Sequence, residues 1–239
     1  MKKYVELVVF DMAGTTVRDE REVETCFYEA ATQSGLTVSR ARINDMQGLP
    51  KLQVVQTLWD EAIGNDHPDF EHKTINNYNL FTQILEHHYL TQPIYPTEGA
   101  LETFAWLRSE AIAIALTTGF YRKVADIILN KLNWKQRYLG FEEGVIDLSL
   151  TPDETGKGRP YPDMIWKAME ILEIKDAKKV VNIGDTPVDL QSGKAANCLF
   201  SLGVTNGTHT QAQLEQYDND GLLPSMTALK TFLQERLNS

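Results

Sequence analysis

Apolar residues fall along this chain in two rhythms. Residues 5–10 are almost unbroken in hydrophobicity and run into the polar stretch Asp11-Met12-Ala13-Gly14-Thr15-Thr16, the form of a buried parallel strand that ends in a loop. Later runs repeat it: 111–116 into Thr117-Thr118-Gly119, 180–183 into Gly184-Asp185-Thr186-Pro187, and 199–202 into Gly203. Between them apolar positions recur every three or four residues, as in Ile165, Ala168, Met169 and Leu172 and in Leu101, Phe104 and Ala105, which predicts amphipathic helices. Strands alternating with helices predict an α/β fold, a Rossmann-like doubly wound parallel sheet covered on both faces.

From about residue 17 to residue 93 the strand rhythm stops. Helical stripes such as Val23/Phe27/Ala30 and Ile75/Tyr78/Phe81/Leu85 take over, and Pro93, Pro96 and Gly99 mark the return. The chain therefore reads as a core of residues 1–16 plus 94–239 carrying an inserted helical domain, 17–93. A length of 239 residues suits one domain with a large insert. If Trp59 stands on the surface of that insert, a second copy could pair there, giving a homodimer.

Composition narrows the partners. Hydrophobic residues make up 42% and charged ones 23%, as in globular proteins, and the net charge of −10 has the wrong sign for binding nucleic acid or an anionic membrane. Cys26 and Cys198 stand far apart, in no metal-ligand or disulfide pattern, which fits a reducing, cytoplasmic setting. The apolar run after Met1-Lys2-Lys3 is broken by Glu6 and stopped by Asp11, too short for an export signal, and 111–116 falls far below the ~20 residues of a membrane span.

In an open parallel sheet, ligands bind beyond the carboxyl ends of the strands, and here those ends carry Asp11, Thr118, Asp185 and Asp189. Two carboxylates about 4 Å apart repel by roughly 4 kcal/mol at an effective dielectric of 20, so such a cluster calls for a cation or a shared proton. Mg²⁺, which prefers hard oxygen ligands and works beside substrate phosphate, suits the pocket, and a hydroxyl (Thr118) with a fixed cation (Arg159) completes a phosphoryl site. For Asp189 a second reading stands equally: a first-turn acid favoured by the dipole of the helix that Pro187 opens. Arg159 could likewise be a solvated loop cation. Other motifs fail. Asp218-Asn219-Asp220-Gly221 lacks the Gly and Glu of a calcium loop at Leu223 and Leu229; Gly193-Lys194 lacks the flanking residues of a phosphate loop; and the adjacent His87 and His88 diverge on a helix.

Taken in order, these segments resemble the four motifs of the haloacid dehalogenase superfamily, over essentially the whole chain. The resemblance implies that Asp11 is a nucleophile forming an aspartyl-phosphate, that Thr118 binds a phosphoryl oxygen, and that Arg159 in Gly158-Arg159-Pro160 is the third-motif cation. It further implies Mg²⁺ held by Asp11, the Ala13 carbonyl and Asp185 with Asp189 in support, and a helical cap of the C1 type in the insert. Ala13 departs from the superfamily's phosphatases, which carry a second Asp there as the acid for the leaving alcohol; such an acid contributes about 10²–10⁴-fold.

Asp-x-Ala-Gly-Thr is similar instead to the phosphonoacetaldehyde hydrolase, or phosphonatase, branch, in which a cap lysine forms a Schiff base with the substrate. Gly48-Leu49-Pro50-Lys51 resembles that branch's Gly-Leu-x-Lys, implying that Lys51 faces the core; the residues alone equally allow a solvated lysine opening a helix over 52–59. The branch implies Ala13, Gly48, Lys51, Thr118, Gly119 and Arg159 around the substrate. Val54 and Phe120 depart from it, standing where the branch has His and Tyr. The expected function is hydrolysis of a small phosphonate or phosphorylated metabolite. The alternatives are a phosphoglycolate phosphatase-like monoesterase and, from another class, a phospho-acceptor signalling module.

Overall fold

The computed structural model describes residues 5–238, so the Met1-Lys2-Lys3 start lies outside the described residues. Six strands, β1 (Leu7–Asp11), β2 (Ala113–Thr117), β3 (Leu148–Leu150), β4 (Val180–Gly184), β5 (Phe200–Val204) and β6 (Gly221–Leu223), form one parallel sheet in the order β3-β2-β1-β4-β5-β6. The alternation of side chains sends Val8 and Phe10 into one apolar cluster and Leu7 and Val9 into another on the opposite face. Each such buried side chain contributes about 1.5–3 kcal/mol, and β1, paired with β2 on one edge and β4 on the other, is covered on both faces.

Eleven helices accompany the sheet among the described residues: α1 (Glu22–Gln33), α2 (Arg40–Asp45), α3 (Lys51–Ile63), α4 (Phe70–Thr91), α5 (Ala100–Ser109), α6 (Arg122–Lys131), α7 (Pro152–Thr155), α8 (Asp163–Ile171), α9 (Pro187–Ala195), α10 (Gln211–Leu214) and α11 (Ala228–Asn238). Five of them, α1 to α5, lie between β1 and β2 without an intervening strand; the chain leaves β1 for α1 to α4 and returns toward α5 through two segments that run side by side at the antiparallel bridge of Val17 with Pro96. Phe27 of α1 stacks on Phe81 of α4, their centroids 3.8 Å apart. The insert is tied to α6: Lys131 Nζ donates to the carbonyls of Tyr89, Leu90 and Gln92 at 2.9, 3.0 and 2.6 Å, and Tyr121 donates to Glu86 at 3.0 Å. These lysine contacts satisfy carbonyls left open at the α4 C-terminus.

Several expectations need correction. Trp59 is buried in the insert, its indole N–H donating to Asn77 Oδ1 at 3.1 Å, so it offers no surface to a second copy. Ile75 is exposed; the inward face of α4 runs instead through Thr74, Asn77, Phe81, Leu85 and Tyr89. On α5 the buried stripe is Ala100, Thr103, Phe104 and Leu107, which leaves Leu101 exposed. The second strand begins at Ala113 because Ala111 adopts a left-handed turn, φ 58°. No helix among the described residues is long and apolar enough to cross a membrane.

Candidate active site

The β1, β2 and β4 carboxyl ends lie side by side, with Asp11 paired in register with Thr117. Asp11 ends β1 and is buried; Asp185 follows β4 and is fully buried; Asp189 sits one turn into α9. One carboxylate oxygen from each lies within 4.8 Å of the others. Across such a gap each pair repels by about 3.5 kcal/mol at an effective dielectric of 20. Burial, with Asp189 and Asp185 nearby, holds the Asp11 carboxyl well above the usual range although Arg159 pulls it down, and burial together with Asp189 raises Asp185 to about 6.

Arg159 is buried among these acids. Its guanidinium lies 2.6 Å from Asp11 Oδ1 and also pairs with Asp189 Oδ1, so it is no solvated loop cation. Three carboxylates against one guanidinium leave an excess of negative charge in the dark of the protein, and an all-oxygen donor set of this kind suits a hard divalent cation. Asp189 fills the first-turn reading offered for it, its Oδ2 accepting from Thr186 N at 3.0 Å and from Thr186 Oγ1 at 2.5 Å in a capping box, while its Oδ1 pairs with Arg159 beside the other acids.

Asp185 is oriented by Thr15 Oγ1 at 3.2 Å and the Thr208 amide at 2.6 Å. Gly14, φ +90°, lies so close that a Cβ there would stand 2.2 Å from Asp185 Oδ2, so no larger residue fits between the loop after β1 and this carboxylate. Thr118 is buried and its hydroxyl accepts from the Phe120 amide at 3.1 Å.

Residues of the insert close the other side. Lys51 opens α3 but is only 6% exposed, against the solvated reading; its Nζ lies 5.8 Å from the Phe27 ring centroid and 5.1 Å from that of Phe120. It forms no ion pair or hydrogen bond among the described residues, and burial lowers its pKa to about 8. The loop before it rests on the core. A Cβ on Gly119 would stand 2.6 Å from the Leu49 carbonyl oxygen and 2.7 Å from that of Gly48, and one on Gly48 would strike Thr186. Asp11, Ala13, Gly48, Lys51, Thr118 and Gly119 line one small, partly enclosed cavity of about 20 Å³.

Three of its walls went unread in the sequence. Asp19, Gln47 and Thr208 also line the cavity, and the Gln47 side-chain nitrogen is buried without a partner. Only Gln47 carried a signal, its place beside Gly48; Asp19 and Thr208 arrive through the course of the chain after β1 and β5.

Comparison with known proteins agrees with the architecture. A profile of haloacid dehalogenase-like hydrolases matches residues 5–197. A phosphonoacetaldehyde hydrolase of Bacteroides fragilis is 30% identical, over 90% of this chain and 81% of its own. Among solved structures, a phosphonoacetaldehyde hydrolase-like protein from Oleispira antarctica superposes with TM-score 0.81 at 17% identity, covering 99% of this chain and 94% of that one. A predicted phosphoglycolate phosphatase from Haemophilus somnus does so with TM-score 0.73 at 16% identity, covering 96% and 98%.

Proposed function

The chain belongs to the haloacid dehalogenase-like hydrolases and is a hydrolase, and from that premise we propose that it is a Mg²⁺-dependent, phosphonatase-like enzyme that transfers a phosphoryl group from a small phosphonate or phosphorylated metabolite to Asp11 and then to water. The observation that carries this reading is Lys51, a buried amine with no acidic partner among the described residues, opening on the cavity that Asp11 lines. The similarity to phosphonoacetaldehyde hydrolases supports it.

Asp11, the Ala13 carbonyl and Asp185 would hold the metal, with Asp189 in support. When bound, the ion offsets negative charge shared between carboxylates and phosphoryl oxygens. Thr118 and Arg159 hold those oxygens by hydrogen bond and charge. On an aldehyde phosphonate, the Lys51 amine condenses with the carbonyl, losing water and giving a protonated imine. An Asp11 oxygen attacks phosphorus; the P–C bond breaks and its electron pair moves into the iminium, leaving an enamine on Lys51 and phosphate on Asp11. Protonation of the enamine carbon and hydrolysis of the imine free the aldehyde and the lysine. Water then attacks the aspartyl-phosphate, restoring the carboxylate and releasing phosphate. In this reading residues 17–93 are a cap domain whose closure shuts out bulk water. The two buried thiols, Cys26 and Cys198, support a cytoplasmic setting.

A second reading has its own observation. Val54 and Phe120 are buried apolar groups, giving the lysine no polar relay, which favours plain ester hydrolysis of the phosphoglycolate phosphatase kind. Phosphate release from phosphonoacetaldehyde and from a panel of phosphate monoesters separates the two. Asp11→Asn should reduce release to background on every substrate; retained turnover removes Asp11 as nucleophile. Borohydride should fix phosphonoacetaldehyde to Lys51 in the first case and not in the second.

A further inference from the structure

One proton has no carrier in the chemistry above. Whether the bonding pair stays on an ester oxygen or passes through the iminium to give an enamine, the leaving fragment must take up a proton, and Ala13 has no acidic hydrogen to give. We propose that Asp19 is that acid: its carboxyl protonates an ester oxygen as the bond to phosphorus breaks, or the enamine carbon after the P–C bond has broken, and the carboxylate regains its proton from solvent, so that each turnover returns it to its starting state. This inference rests on the hydrolase reading above and adds a residue to it.

Asp19 lies in the segment between β1 and α1 and lines the same small cavity together with Asp11, Lys51 and Thr118. On its other side it lines an open cleft with Gly14, Arg18, Thr97 and Asn206. It is thus placed between the reaction space and solvent, where an acid can exchange its proton once per cycle. Its Oδ1 accepts from the Glu22 amide at 2.9 Å, which fixes the carboxyl against the start of α1. The groups acting on it are Glu22 beside it and Asp185, while its own charge is felt by Lys51 on α3, Tyr89 on α4 and Cys26 on α1. Burial, followed by the Glu22 carboxyl, raises its pKa to about 8, so the acid form prevails at neutral pH.

Asp19→Asn separates acid from scaffold, because an Asn oxygen can accept from the Glu22 amide as Asp does. A leaving p-nitrophenolate needs no proton, whereas an alkoxide does. With p-nitrophenyl phosphate the variant should stay within a few-fold of the parent; with ethyl phosphate it should fall by about 10²–10³-fold, and Asp19→Glu should recover part of that loss. An equal fall on both esters, or none on ethyl phosphate, overturns the assignment while leaving the hydrolase reading intact. If only phosphonoacetaldehyde is turned over, the variant should give a normal first-turnover burst of phosphate followed by a steady state at least ~10²-fold slower, the carbon fragment being held as enamine on Lys51. An unchanged steady state overturns the assignment. A parent enzyme inactive on all three substrates overturns both readings together.

Discussion

Burial decides what Lys51 can do at neutral pH. With its pKa near 8 rather than 10.5, the neutral amine is about 300 times more abundant at pH 7 than for a solvated lysine, which is the form that attacks a carbonyl. The sign follows directly: lowering the pKa favours the uncharged form, so trapping by borohydride with phosphonoacetaldehyde should rise as pH passes through about 8 and level off above it, and Lys51→Arg should not trap at all. A rise centred near the ordinary lysine value would show that the ammonium is solvated in solution. Arg159 invites a second measurement. Its guanidinium reaches Asp11 and Asp189 at once, a fork that an ammonium cannot copy, so Arg159→Lys should lower kcat by about 10²-fold while leaving the fold in place, as read by steady-state kinetics and circular dichroism. Much of this arrangement was legible in sequence because Asp11 ends β1 while Thr118 and Asp185 directly follow β2 and β4, where position along the chain fixes position at the crevice. Asp19 was not, since it follows a turn whose direction no periodicity encodes.

Among the elements, the loop before α3 and the loop after β2 meet closely, carbonyl oxygens standing where a Gly119 side chain would be. Gly119→Ala should therefore hold the two apart at a cost of about 1–3 kcal/mol, raising KM by roughly 5- to 160-fold, with thermal stability nearly unchanged because the sheet is untouched. An unchanged KM would mean that the joined form is not the one that binds substrate. Element order was readable for the long strands, whose unbroken apolar runs leave few alternatives. It failed for β3 and β6, where Leu148-Ser149-Leu150 and Gly221-Leu222-Leu223 are too short to establish a rhythm. In α4, 22 residues long, the apolar stripe admits Thr74 and Asn77 and shows Ile75 to solvent, because Asn77 serves the Trp59 indole rather than the surface.

For the molecule as a unit, the excess negative charge at the strand ends links metal to folding. A cation that binds only the folded chain stabilises it by about 2.7 kcal/mol at a hundredfold excess over Kd, worth roughly 5–10 °C in a chain of this size. Adding Mg²⁺ to chelator-treated protein should raise Tm by that order, and Asp185→Asn should remove most of the rise. An absent shift with Mg²⁺ would argue that another divalent ion, or none, occupies the cluster.

The cavity beneath the Gly48 loop is about 20 Å³, space for about one water molecule and less than a phosphoryl group itself fills. Substrate can therefore enter only once the Gly48 and Leu49 carbonyls lift from Gly119, and the frequency of that opening sets a ceiling on turnover.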